Sequence, residues 1–161
     1  MRAFVSLGSN KGDREGYLRR ALGLLDRVPQ TRVTNVSQVY ESAPWGFPHQ
    51  RDFLNLAAEL RTRLRPEKLL EEFKALEAQL GRKPSRRWGP REIDIDLLMY
   101  GEQTISTPEL TVPHKHMMER AFVLVPLAEI APSLMLPDGR SAKEHAAERQ
   151  DEVVPFAKIS I

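Results

Sequence analysis

Apolar and polar residues alternate at period two in four stretches of this chain. They recur at helical spacing in three more. Residues 2–8, RAFVSLG, predict a short strand that ends at the loop GSNKGD. Asp13 is placed to cap a helix whose apolar stripe is Leu18, Ala21, Leu22 and Leu25. Residues 32–40, RVTNVSQVY, alternate as a second strand, and 52–62, DFLNLAAELRT, as a third. In the third strand Leu54, Leu56, Ala58 and Leu60 form the core face, and Phe53 and Asn55 point the other way. Pro66 fits the first turn of a helix with the stripe Leu69, Leu70, Phe73, Leu76 and Leu80, stopped by Gly81. Residues 92–100 predict a fourth strand, with Ile93, Ile95, Leu97 and Met99 on one face and Asp94 and Asp96 on the other. Phe122 to Ile130 predict a helix with Pro126 in its first turn, and the tail PDGRSAKEHAAERQ a turn and a short polar helix.

The order β-α-β-β-α-β followed by helices predicts an α+β, ferredoxin-like fold with a mostly antiparallel sheet and long loops at 41–51 and 82–91. The crossover helices would cover one face. The other would stay partly open, where Phe53, Asn55, Asp94 and Asp96 line a site. A length of 161 residues suits one domain over 1–161, too short to include a second enzyme of comparable size.

Composition narrows the classes. No apolar run approaches the roughly 20 residues of a membrane span, and MRAFVSLGSN lacks a signal-peptide pattern. With zero cysteines there is no thiolate metal site or disulfide, and a cytoplasmic protein is the simplest reading. A net charge of +2 does not by itself imply nucleic-acid binding. Arginine supplies 17 of the 24 basic residues and matters where it clusters.

It clusters beside the aspartates. The segment 82–91, RKPSRRWGPR, holds five basic residues in ten, just before Asp94 and Asp96. Taken alone, D-x-D fits a charged strand edge better than a metal site. Beside an arginine-rich Pro/Gly loop, the pair fits a polyphosphate site whose charge is shared by magnesium and guanidinium groups. GSNKGD lacks the spacing of a P-loop, and a turn with a helix cap explains it. His114 and His116 have no third ligand at zinc spacing; alone they read as surface histidines, and His114 near Arg120 as a phosphate donor. Trp45, Phe47, Phe53, Trp88 and Phe122 flank these polar groups and are of a kind that sandwiches a flat heterocycle, while Phe122 fits core packing equally well. Asn55 can both donate to and accept from a ring edge. Glu77, by itself, is a helix glutamate.

The segment RWGPREIDIDLLMYG closely resembles that of the 6-hydroxymethyl-7,8-dihydropterin pyrophosphokinases of folate biosynthesis. The similarity runs nearly end to end, through FVSLGSN, YESAPWG, DFLNLAAEL, LEAQLGR, LTVPHKHMMERAFVLVPLAEIAP and LPDG. It implies transfer of pyrophosphate from MgATP to the hydroxymethyl group of the pterin, giving AMP and the pterin diphosphate. Asp94 and Asp96 would then hold two Mg2+ ions, and Arg82 and Arg91 would bind phosphates as catalytic groups. His114 and Arg120 match triphosphate positions, and Glu77, Trp88, Leu97, Leu110 and Thr111 positions around the nucleotide. Phe53 and Phe122 would stack on the pterin, with Asn55 at its edge and backbone groups of Ser42, Ala43 and Trp45 beside it. The resemblance implies no nucleic acid, no membrane and no obligate protein partner. Two rivals are set against it. An RNA-binding sheet would need an aromatic run on its central strands, which is missing, and another magnesium-dependent phosphotransferase would not need Phe53, Asn55 and Phe122 to converge.

Overall fold

The computed structural model describes residues 1–44, 50–83 and 89–159. The chain runs β1 (Arg2–Ser9), α1 (Arg14–Leu25), β2 (Thr31–Val36), β3 (Val39–Ser42), β4 (Phe53–Thr62), α2 (Pro66–Gln79) and β5 (Asp94–Tyr100). Two short strands follow, β6 (Ile105–Ser106) and β7 (Thr111–Val112), then α3 (Ala121–Ile130), α4 (Ala142–Ala147) and β8 (Val154–Ala157). The main sheet has the order β5-β1-β4-β3-β8, with β2 also on β4, and its pairs are antiparallel. This is the expected α+β, ferredoxin-like arrangement, extended by β8 at one edge.

The alternation sorts the side chains as the pattern predicts. Leu54, Leu56, Ala58 and Leu60 on β4 meet Ala3, Val5 and Leu7 on β1 in one core. Onto it pack Leu18, Ala21, Leu22 and Leu25 of α1 and Leu69, Phe73 and Leu76 of α2. The Asp13 side chain accepts from the Gly16 amide and starts α1, as a helix cap should. Gly81, at φ 91°, follows α2 in the left-handed region that favours glycine.

Four features depart from the expected pattern. The strand 32–40 is two strands, because the chain leaves the ladder at Ser37–Gln38. The Ser37 hydroxyl accepts from the Ala57 amide and donates to the Gln38 carbonyl, and the Gln38 amide turns to the Glu129 carboxylate on α3. Met99 does not share the face of Ile93, Ile95 and Leu97. A register shift opposite Phe4 and Val5 turns it, with Leu98, to the second core. Pro126 lies in the interior of α3 rather than in its first turn. The second face of the sheet is also less open than expected, since α3 covers Phe4, Ala57, Leu98 and Met99 in its middle. At one end of the sheet, beyond α3, a cleft opens between β1, β4 and β5. Among the described residues no helix is long and apolar enough to cross a membrane.

Candidate active site

Asp94 and Asp96 lie on the edge strand β5, opposite Gly8 and Ser6 of β1. Ile93 and Ile95, buried in the first core, hold the other face of the strand and so aim both carboxylates at the cleft. Gly8 is flanked by Asp94 on one side and Asn55 on the other. A Cβ there would fall 2.6 Å from Asn55 Nδ2, so glycine lets the two sides of the site approach.

The carboxylates differ in environment. Asp94 is partly exposed and faces Arg82 Nη1 at 3.0 Å and Arg91 Nη1 at 3.9 Å. Asp96 is also partly exposed and stands beside it on the same face of β5. Burial, then the neighbouring Asp94 carboxylate, raises the Asp96 pKa well above the ordinary value, against the pull of Arg120. Two crowded carboxylates of this kind favour a bound cation. No cluster of three or more metal-ligating side chains occurs among the described residues. Two hard carboxylate donors in one cleft fit Mg2+, which keeps water and substrate phosphate oxygens in the rest of its shell.

Glu77 earns a place by geometry. From α2 its Oε2 accepts from the Ile95 amide at 2.8 Å, the edge-strand N–H between the two aspartates, and from Arg82 Nη1 at 2.8 Å. Arg82 Nη1 thus bridges Glu77 and Asp94. Burial raises the Glu77 pKa, opposed by its hydrogen bond from Ile95.

The rest of the cleft is shared between two chemistries, in a volume of about 310 Å³, within the usual range for small-molecule sites. Phe53, Asn55, Ser42, Ala43 and Phe122 line one part, and Arg91, Arg120, His114 and the two aspartates the other. Asn55 accepts from the Ser42 hydroxyl at 3.3 Å, and Arg120 lies over the Phe122 ring at 5.5 Å. Arg82 and Glu77 stand just behind Asp94. Leu97 of β5 and Leu110 are buried in the first core and Thr111 is exposed on β7, so none of the three lines the cleft. Trp45 and Trp88, with Phe47, Arg86 and Arg87, lie outside the described residues.

His114 lines the cleft rather than the general surface. Its Nδ1 accepts from the His116 amide at 3.2 Å, which assigns the proton of the neutral ring to Nε2. Burial, then the Arg120 charge, depresses its pKa to about 4. The unfolded chain therefore takes up this proton first as pH falls, and the stability tied to neutral His114 is lost between about pH 6.5 and 4. Denaturation across that window should show a shallower pH slope for His114→Gln than for the wild type, and an NMR titration of wild-type His114 a midpoint near 4.

Asn10 is the residue that sequence reasoning missed. It is 2% exposed. Its Nδ2 donates to Gln50 Oε1 at 2.7 Å and the Arg51 carbonyl at 3.0 Å, and its Oδ1 accepts from the Arg91 amide at 2.8 Å. One buried amide in the GSN turn thus ties together the end of the 41–51 loop and the end of the 82–91 loop. A polar residue directly after an apolar strand was the only local signal.

A mixed sheet-and-helix domain whose paired carboxylates meet an arginine cluster beside an aromatic slot defines a phosphoryl- or pyrophosphoryl-transferring enzyme. Residues 4–132 match the model of the family 7,8-dihydro-6-hydroxymethylpterin-pyrophosphokinase (HPPK), and the chain belongs to that family. It is similar to the 2-amino-4-hydroxy-6-hydroxymethyldihydropteridine pyrophosphokinase of Pseudomonas aeruginosa, 47% identical over 143 residues, covering 89% of this chain and 88% of that one. The Bacillus subtilis enzyme of the same name is 50% identical over 128 residues, 80% of this chain and 77% of the relative. A crystal structure of Plasmodium falciparum HPPK-DHPS with pteroate aligns with a TM-score of 0.73 at 14% identity, over 94% of this chain. This chain spans only 43% of that longer one, and the likeness shows the fold alone.

Proposed function

We propose that this chain, a pyrophosphokinase of the folate pathway, moves the β,γ-pyrophosphoryl group of ATP onto the hydroxymethyl oxygen of 6-hydroxymethyl-7,8-dihydropterin inside this one cleft. The observation that carries the reading is the convergence of Asp94 and Asp96 with Arg91, Arg120 and His114 on one side and with Phe53, Asn55 and Phe122 on the other.

The pterin ring lies between Phe53 and Phe122, its edge read by Asn55 and by backbone groups of Ser42, Ala43 and Trp45. The triphosphate lies against Arg82, Arg91, Arg120 and the Nε2–H of His114. The family resemblance assigns its adenosine part to the positions of Glu77, Leu97, Leu110, Thr111 and Trp88. Asp94 and Asp96 hold two Mg2+ ions, which, when bound, neutralise phosphate charge and favour ionisation of the hydroxyl. The hydroxymethyl oxygen forms a bond to the β-phosphorus. The bond from that phosphorus to the α,β-bridging oxygen breaks, and AMP leaves with the electron pair. The guanidinium groups spread the developing negative charge, and the slot and clamp supply alignment, the larger part of catalysis in such transfers. The hydroxyl proton has two carboxylates within the cleft, and desolvation with the neighbouring Asp94 charge raises the proton affinity of Asp96 above the ordinary carboxylate value. A cytoplasmic location and a single folding unit over 1–161 belong to the same reading; β8, near the C-terminal end, joins the sheet that holds the site.

Asn55→Ala tests the pterin half. It should raise KM for the pterin at least about tenfold, the value of a lost buried hydrogen bond, with KM for ATP nearly unchanged in steady-state assays. Equal loss for both substrates would place Asn55 outside pterin recognition.

A further inference from the structure

Three arginines stand side by side at the end of the sheet remote from the cleft. Arg61 on β4 is paired in register with Arg2 on β1 and with Arg32 on β2. Cross-strand partners share a face with Cβ atoms about 5 Å apart, where like charges repel. The row is on the same face as Asn55 but six residues along β4, roughly 20 Å away at about 3.3 Å per residue. All three side chains are exposed, as is Arg63 just beyond the strand.

One acid sits among them, and it is buried. The Glu59 side chain is 10% exposed and reaches Arg2 Nε at 3.4 Å and Arg61 Nε at 3.3 Å. It also accepts from Thr34 Oγ1 at 3.0 Å. This one carboxylate lies against the Nε atoms of two of the three guanidiniums and leaves the row with net positive charge. The Phe4 ring supports Arg2 at 4.7 Å. Among the described residues no carboxylate pairs with Arg32 or Arg63. Arg32, Arg61 and Arg63 border a depression of about 500 Å³ together with Gln30, Thr31 and Thr62.

We propose that this arginine row is a second anion site, separate from the active site, that binds a chain of linked phosphates. Aligned guanidinium forks match phosphate oxygens in pairs. A nucleic-acid strand fits less well, because the aromatic ring at the row, Phe4, is 2% exposed and presents no face for a base. The linked phosphates come from free polyphosphate or from the triphosphate of a nucleotide.

The test is a titration of the 15N-labelled protein with sodium tripolyphosphate, without magnesium and at fixed ionic strength, read by NMR. Amides of Arg2, Arg32, Arg61 and Arg63 should shift and saturate. In the Arg32→Gln/Arg61→Gln double variant that saturation should weaken at least tenfold, while the response of the Asn55 and Asp94 amides and the rate of AMP formation stay at wild-type values. Glu59→Gln separates a built site from plain charge: it adds net positive charge yet should loosen binding, because Arg2 and Arg61 lose the carboxylate that holds them in place. Repeating the titration with ATP identifies the source. Saturation at the row by tripolyphosphate alone supports free polyphosphate, and saturation by both supports any triphosphate. Shifts that match an equal ionic strength of sodium chloride, or tighter binding by Glu59→Gln, would overturn the proposal.

Discussion

Asp96→Asn should abolish turnover and, in the same protein, raise the stability of the metal-free fold. The activity loss is expected to be at least about a thousandfold in kcat, because charge stabilisation in phosphoryl-group transfer is worth that much when a central element is removed. The stability gain follows from the sign of the pKa shift. Burial and Asp94 raise the Asp96 pKa above its unfolded value. Its contribution to stability is then fully present below the unfolded pKa and is lost as pH rises through the folded one. At neutral pH the metal-free wild type therefore carries this penalty. Asparagine has nearly the same shape and no charge, and its amide can still donate to Asp94. The melting temperature should rise by about 2–4 °C per kcal/mol recovered in a protein of this size. The difference should shrink as pH is lowered. Adding Mg2+ with a non-hydrolysable ATP analogue should raise Tm for the wild type far more than for the variant. A site kept for catalysis at the expense of stability behaves in this way.

Arg82→Ala should lower kcat by about 10²- to 10³-fold while changing either KM less than about tenfold. Arg82 Nη1 lies 2.8 Å from Glu77 and 3.0 Å from Asp94. It is the cation that joins the α2 carboxylate to the proposed metal carboxylate, at the start of the loop 82–91. Removing it leaves both carboxylates without their shared counter-charge and removes a donor from the developing charge on the phosphates. Arg82→Lys should recover little, since an ammonium on a flexible stem does not reproduce the planar fork. Single-turnover rates distinguish this from slow product release, because the variant should be slow in the first turnover as well.

Much of the frame was legible because burial is periodic. Phe53 and Asn55 alternate with Leu54 and Leu56, and the structure puts the first pair at the cleft and the second in the core. Asp94 and Asp96 were visible for the same reason, as polar breaks in an apolar strand. The features that escaped are those with no local period. The Met99 bulge depends on how β5 registers with β1. The cover supplied by α3 depends on how a helix with few polar residues packs on the second face. Asn10 makes its bonds 40, 41 and 81 residues away, and Glu77 caps an amide 18 residues on, so neither can be read from its neighbours. For Glu77 the family resemblance implied a place around the nucleotide, and the structure sets its carboxylate against the Ile95 amide and Arg82.

The central claim is that the hydroxymethyl oxygen attacks the β-phosphorus of ATP. The most direct measurement is the product ratio from the purified protein with Mg2+, 6-hydroxymethyl-7,8-dihydropterin and ATP labelled at the β-phosphorus. The account predicts AMP and pterin diphosphate in equal amounts, with the label in the pterin product and no AMP when the pterin is omitted. Formation of ADP with a singly phosphorylated pterin, or no AMP at all from a folded protein, would contradict it.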